Sequence, residues 1–393
     1  MDTKELLTRS VEEIIQKKEL EKALKEKKKL RIYIGVDPSG PEIHLGHAVI
    51  LRKLREFQKL GFKVIFLIGD FTGMIGDPTD RTTERQPLTR GQVLKNAETY
   101  KEQVSKIISF KGKNPAELRF NSEWHSKMNF EQVIGLSAHF TVQRMLERDM
   151  FEKRIKEDKP IGLHEFIYPL IQGYDAVALD ADVQVGGTDQ KFNMLASRKL
   201  VKILKGKTQT VVTFTLLEGT DGRKMSKSFN NIIGITEEPK DIFGKVMSLK
   251  DNLIIKYFVL TTDVPMLQIK KIENGFKKGA NPRDAKLKLA FEIVKIYHGE
   301  KEAKKARKEF EKVFSKREIP KEIPCYEVSK KPVKLVELLS GLKMASSKSE
   351  ARRLIEQGAV DIDETTIFDK EEELTPHKDM IIKVGKRKWA KIV

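Results

Sequence analysis

From Arg31 onward, short apolar runs alternate with longer amphipathic stretches. Arg31-Ile32-Tyr33-Ile34-Gly35-Val36 has strand length and stops at the turn Asp37-Pro38-Ser39-Gly40-Pro41. Periodic apolar positions from about His44 to Leu60 predict a helix, and Lys63 to Ile68 a second strand. Strand, turn, helix and strand in that order predict a βαβ unit with parallel strands. Ahead of it, residues 3 to 29 predict a helix, apolar at Leu6, Leu7, Val11, Ile14 and Ile15 and strongly basic afterwards. Residues 91 to 155 read as mostly helical and charged, an insertion. Strand patterns return at Val183-Gln184-Val185 and at Thr210-Val211-Val212-Thr213-Phe214, with a helix between. After Ile235 the pattern is helical only, with Lys/Glu-rich faces as far as Lys316. The prolines of Pro320-Lys321-Glu322-Ile323-Pro324 mark a linker. The last sixty or so residues predict a small unit: two short helices, then alternating Val360-Asp361-Ile362-Asp363 and Met380-Ile381-Ile382-Lys383-Val384. The expected class is α/β: a Rossmann-like parallel sheet with a helical insertion, then an all-α domain and a small α+β module. The expected bounds are 1–232, with the insertion at about 91–160, then 233–325 and 333–393.

Composition narrows the possibilities. A chain of 393 residues suggests two or three domains. With 39% hydrophobic and 34% charged residues, wholesale disorder is excluded. The apolar stretch Val64 to Ile68 is far too short for a membrane span, and the opening residues carry no apolar signal region, so no membrane and no export are expected. The single cysteine, Cys325, rules out an internal disulfide and the usual thiolate zinc site; a reducing cytoplasm fits. A formal charge of +18 suits either solubility or the binding of a polyanion, and much of the excess falls after residue 270. The heavy use of Lys and Glu together hints at a heat-adapted source.

Three groups of residues bear on chemistry. His44-Leu45-Gly46-His47 opens the first helix after a strand, where free N–H groups and a partial positive charge suit a phosphate. The two imidazoles, one turn apart, could donate to phosphate oxygens, and Gly46 lets a flat base approach the backbone. Two ordinary helix-start histidines would look the same. Lys224-Met225-Ser226-Lys227-Ser228 lies in a glycine-flanked loop after the last strand, suited to closing over a polyphosphate as charge moves onto it. A solvated basic loop is the plainer reading, but this spacing at the end of a sheet favours the functional one. In Val185-Gly186-Gly187-Thr188-Asp189-Gln190 the glycines permit close approach and Asp189 could hold ribose hydroxyls, or the segment is simply a tight turn with Thr188 as cap.

A His-x-Gly-His helix start paired with a KMSKS loop resembles the class I aminoacyl-tRNA synthetases. Within that class, Tyr33 to Pro38, Gly76-Asp77-Pro78, Tyr168 to Asp175 and Gly186 to Gln190 look like the tyrosine branch, bacterial type, across essentially the whole chain. Tyr168, Gln172 and Asp175 fall at i, i+4 and i+7 and so share one helical face. By resemblance, Asp175 and Tyr33 grip the phenolic hydroxyl of tyrosine. Asp77, Tyr168 and Gln172 bind its ammonium group, with Asp37 nearby and Gln190 directing the carboxylate. The same resemblance assigns ATP to Gly35, Ser39, His44, Gly46, His47, Gly187, Asp189, Lys224, Ser226 and Lys227, with His44, His47, Lys224 and Lys227 as the catalytic donors. Magnesium is expected on the phosphates, with no protein cage of its own.

Residues 333–393 resemble the alpha-L RNA-binding module, with Ser347, Lys348, Arg352 and Arg353 near a helix start for phosphates and ribose hydroxyls. The expected partners are L-tyrosine, ATP and tRNA(Tyr), the tRNA read also by a helical anticodon domain at 233–325. The resemblance further implies a homodimer built through the insertion. An adenylyltransferase without RNA is disfavoured by the C-terminal regions, a non-catalytic RNA-binding paralogue by the intact His44, His47, Lys224 and Lys227. The tryptophan branch is disfavoured by Tyr33 with Asp175.

Overall fold

A computed structural model describes residues 3–79, 88–225, 229–315, 323–328, 331–363, 365–385 and 388–393. Two compact units divide the chain, residues 1–309 and 310–393.

The first unit is organised by six strands: β1 (Val11–Ile15), β2 (Arg31–Val36), β3 (Lys63–Ile68), β4 (Glu117–Phe120), β5 (Val183–Gly187) and β6 (Thr210–Phe214). Their order is β1-β6-β5-β2-β3-β4. β2 to β6 run parallel, and β1 adds an antiparallel edge on β6. β5 and β6 are buried at every residue, as expected for parallel strands covered on both faces. The chain order reverses between β2 and β5, which opens a crevice at their carboxyl ends, where ligands bind in open α/β sheets. On one face the helices Leu163–Ala178 and Lys191–Lys205 pack closely. A Cβ at Gly173 would come within 2.9 Å of Leu200 Cδ1. Between them and the sheet lies a core that includes Tyr33, Ile65, Leu67, Ala176 and Leu200.

Two expectations about this unit need correction. Residues 3 to 29 are not one helix: a single turn at Thr3–Leu6 is followed by β1 and then the helix Lys17–Lys25. Ser10 and Gln16 both have φ of 66°, left-handed backbone that breaks a helix at either end of β1. Between these breaks, β-branched Val11, Ile14 and Ile15 favour a strand. Nor is 91–155 wholly a helical insertion, because β4 lies within it and forms the far edge of the sheet. Four half-buried edge residues, Glu-Leu-Arg-Phe, are too few to show a period. The helical stretch proper follows β4, from Ser122–His125 to Asp149–Lys156.

Beyond residue 235 come the helices Pro239–Met247, Ile254–Thr261, Met266–Lys277, Pro282–His298 and Glu300–Ser315. Arg9 fastens the N-terminal turn to them, donating to the carbonyls of Phe258, Val259, Thr262 and Val264.

In the second unit, β7 (Cys325–Tyr326), β8 (Val333–Lys334), β9 (Val360–Ile362), β10 (Thr365–Ile367), β11 (Glu373–Leu374), β12 (Ile381–Val384) and β13 (Lys388–Ile392) form a five-stranded sheet, β10-β9-β12-β13-β7, and the pair β11-β8. Two helices, Leu335–Gly341 and Lys348–Glu356, share its core with Val360, Ile382 and Ala390. Among the described residues no helix is long and apolar enough to cross a membrane.

Candidate active site

A cleft of about 710 Å³ opens at the carboxyl ends of β2 and β5. It is lined by Tyr33, Gly35, Asp37, Ser39, His44, Gly46, His47, Asp77, Tyr168, Gln172, Asp175, Gly187, Asp189, Gln190 and Lys224. The structure therefore brings together in one cavity every tyrosine-site and ATP-site residue named from the sequence except two. Ser226 and Lys227 lie outside the described residues.

At the deep end, Tyr33 on β2 and Asp175 on the Leu163–Ala178 helix are both nearly fully buried. Burial, and then the Asp175 charge, raises the Tyr33 pKa well above the ordinary phenol value, so its hydroxyl keeps its proton at neutral pH. That hydroxyl has no well-formed hydrogen bond. Asp175 accepts from Trp124 Nε1 at 2.9 Å, His125 Nε2 at 2.7 Å and Asn121 Nδ2 at 3.3 Å.

Two turns back along the helix, Tyr168 donates to Asp37 Oδ2 at 2.8 Å, and Thr72 donates to Asp37 Oδ1 at 2.7 Å. Burial raises the Tyr168 pKa as well, with Asp37 and Asp77 adding to it. Gln172 Nε2 points to Gln190 Oε1 at 3.4 Å, and Gln190 Nε2 donates to Asp77 Oδ2 at 2.6 Å. Gln172 Oε1 is buried without a partner. Arg148, also buried, donates to Thr79 Oγ1, which in turn donates to Asp77 Oδ1.

At the mouth, His44 is the N-cap of the helix Leu45–Lys59. Its Nδ1 accepts from Gly46 N at 3.2 Å, and His47 Nδ1 accepts from His44 N at 3.4 Å. A ring nitrogen that accepts carries no proton, so both neutral imidazoles hold theirs on Nε2 as donors. The rings lie 3.9 Å apart between centroids. Gly46 is needed between them: a Cβ there would stand 3.0 Å from the His44 ring. Lys224 Nζ is 3.3 Å from Asp189 Oδ2. Asn231 pins the base of its loop through Asp221 and the Lys224 carbonyl.

Asn121, Trp124, His125, Thr72 and Arg148 went unread in the sequence. The first three follow directly on β4. Had that strand been seen, they would have been placed at the carboxyl edge of the sheet, where ligands sit. In the second unit, Ser347 is the N-cap of the Lys348–Glu356 helix, and Lys348 is 2.7 Å from Glu337. Arg352 and Arg353 are exposed on the same helix.

A family model described as tRNA synthetases class I (W and Y) matches residues 25–315, and one described as the tyrosine–tRNA ligase SYY-like C-terminal domain matches residues 316–392. A tyrosine–tRNA ligase of Thermotoga maritima is 50% identical over 389 residues, covering 98% of this chain and 96% of its own length. One of Aquifex aeolicus is 46% identical over 382 residues, 97% of this chain and 96% of its own. Among solved structures, the tyrosyl-tRNA synthetase of Archaeoglobus fulgidus, complexed with L-tyrosine, superposes with a TM-score of 0.61 at 25% identity, covering 78% of this chain and all of its own. A C-terminally truncated mitochondrial tyrosyl-tRNA synthetase of Aspergillus nidulans shares the fold with a TM-score of 0.66 at 24% identity, covering 79% of this chain and 93% of its own. The chain belongs to the tyrosine–tRNA ligases, class I synthetases that use ATP to join tyrosine to tRNA.

Proposed function

We propose that the residues of this cleft divide the reaction between its two ends. The observation that carries this reading is the pairing of a buried end that holds Tyr33 and Asp175 with a basic mouth, His44, His47 and Lys224, in one cavity. Asp175 accepts a hydrogen bond from the tyrosine hydroxyl, and Tyr33 donates one to its oxygen. The ammonium group needs three acceptors. Asp77, the Gln172 carbonyl and Tyr168 Oη meet that need, since Tyr168 spends its own proton on Asp37. Gln190 holds Asp77 and directs the carboxylate. That carboxylate attacks the α-phosphorus of ATP and pyrophosphate leaves; the terminal ribose hydroxyl of tRNA(Tyr) then attacks the acyl carbon and AMP leaves.

No side chain acts as nucleophile or general base in the first step. Catalysis rests on position and charge, with His44 and His47 donating through Nε2 and Lys224 and Lys227 neutralising the departing phosphates. Gly35, Ser39, Gly46, Gly187 and Asp189 seat the nucleoside and its phosphates. Magnesium comes with the nucleotide and offsets its charge. Among the described residues no group of three or more His, Cys, Asp or Glu side chains offers it a cage. The anticodon domain assigned to residues 233–325 reads the anticodon side of the tRNA, and residues 333–393 bind RNA through Ser347, Lys348, Arg352 and Arg353. The reaction is set in the cytoplasm.

A homodimer through the insertion is part of the proposal. Phe130 and Val142 are 77% and 63% exposed there, and Leu163 just beyond it is 80% exposed, apolar surface that a second copy would cover. A monomer by light scattering at micromolar concentration would count against it.

The test is amino-acid-dependent exchange of labelled pyrophosphate into ATP, each of the twenty amino acids in turn, without tRNA. Exchange with tyrosine alone is expected, reduced by roughly a hundredfold or more in Lys224→Ala. Exchange with tryptophan would overturn the pocket assignment, and none at all would overturn the reading.

A further inference from the structure

Asp175 is gripped from behind by donors that the sequence motifs leave out. His125 Nε2 is 2.7 Å from Asp175 Oδ1, and Trp124 Nε1 is 2.9 Å from the same oxygen. Asn121 Nδ2 reaches Oδ2 at 3.3 Å. His125 is 4% exposed, with Phe71 at 5.3 Å and Tyr174 at 6.0 Å between ring centroids. Its Nδ1 is buried without a partner. The Trp124 nitrogen is also 3.0 Å from His125 Nε2. An indole N–H only donates, and an imidazole nitrogen accepting it would aim a lone pair at a carboxylate oxygen 2.7 Å away. The arrangement without that conflict has both N–H groups on Asp175 Oδ1.

A carboxylate has about four lone-pair sites. Three donors occupy three of them, two on Oδ1 and one, the longest, on Oδ2. Asp175 lines the cleft. One site is left for one further hydrogen, which is what a hydroxyl offers and a bare aromatic ring does not. We propose that His125 is a positioning residue for substrate selection. By completing the shell of Oδ1 it fixes the rotation of the Asp175 carboxylate and turns Oδ2 toward the phenolic hydroxyl, and so helps set the preference for tyrosine over phenylalanine. This rests on the reading of Asp175 given above. Without the His125 N–H, Oδ1 has an unmet site at a buried position and the carboxylate is free to turn.

Pyrophosphate exchange by the full chain, with tyrosine and with phenylalanine, tests it in His125→Leu and His125→Gln. In His125→Leu the KM for tyrosine should rise by about ten- to a hundredfold, the worth of one hydrogen bond to a charged group. The kcat should change little, because the reacting carboxylate sits at the other end of the cleft. Phenylalanine should be used as before, so discrimination falls by the factor that KM rises. His125→Gln carries an N–H to a similar place and should recover most of the preference. Equal losses for both amino acids, or a leucine variant that discriminates like the parent, would overturn the proposal. Asp175→Asn is measured beside them. If that change leaves discrimination intact, the Asp175 reading falls and the proposal with it; if it abolishes discrimination while His125→Leu does not, only the proposal falls. Should His125→Leu not fold, His125→Phe keeps a ring against Phe71 and Tyr174 and still lacks the donor.

Discussion

Tyr168 donates its one hydroxyl hydrogen bond to Asp37, and that commitment decides what its oxygen can offer a ligand. Such details were only partly legible in the sequence. The i, i+4, i+7 spacing of Tyr168, Gln172 and Asp175 gave away their common face, because helical geometry is local. The contacts of Asp175 with Asn121, Trp124 and His125 span fifty residues or more, and no local pattern announces them. Lys53 is a residue of the same hidden kind. It is buried, donates to the Leu6 carbonyl, and burial followed by repulsion from Arg9 holds its pKa down to about 8. An unfolded lysine titrates near ~10.4, so between these values the unfolded chain binds a proton that the folded chain does not. Stability due to this group therefore rises with pH across that window, and the cost of burying the charge is fully present below it. Guanidinium denaturation should find Lys53→Met gaining on the parent at pH 7, with the advantage shrinking by about 3 kcal/mol as the pH passes from 8 to 10.5.

Elements with a strong period were legible, and those set by partners were not. The helix Leu45–Lys59 and strands β2, β3 and β6 fall within a residue or so of their sequence bounds. β1 and β4 were missed because each is an edge strand of four or five residues whose state is decided by the neighbour it joins. The insertion carries its own clasp. Arg154, on the helix Asp149–Lys156, meets Glu165, at the start of Leu163–Ala178, with two contacts of 2.8 and 2.9 Å, both side chains fully buried. The same guanidinium holds the Pro160 carbonyl, and Glu165 accepts from Gly162 N. Removing one partner strands a buried charge, so Glu165→Ala should lose about 3–5 kcal/mol in chemical denaturation. Since Tyr168 and Asp175 stand on that helix, tyrosine KM should rise as well. Unchanged stability would mean that the loop reorganises and lets water reach Arg154.

For the whole molecule, the division of the chain into two units predicts a division of labour. A chain ending after residue 315 should keep tyrosine-dependent exchange, because every described residue of the cleft precedes that point. It should charge tRNA poorly, and a plot of the logarithm of tRNA KM against that of salt should be shallower than for the full chain, each lost phosphate contact reducing the slope by roughly 0.7 to 0.9. Loss of exchange would show instead that the C-terminal unit supports the cleft. The order of synthesis follows from β1. This strand ends at Ile15 and so is made well before its partner β6, which begins at Thr210. At ~5–20 residues per second, the interval between them is about 10–40 s. Throughout it Val11, Ile14 and Ile15 have no sheet to join, and the wall of the cleft that includes Glu12 is open. A growing chain arrested before residue 210 should therefore remain open to protease around residues 11–15, and one arrested well beyond residue 232 should have closed over them.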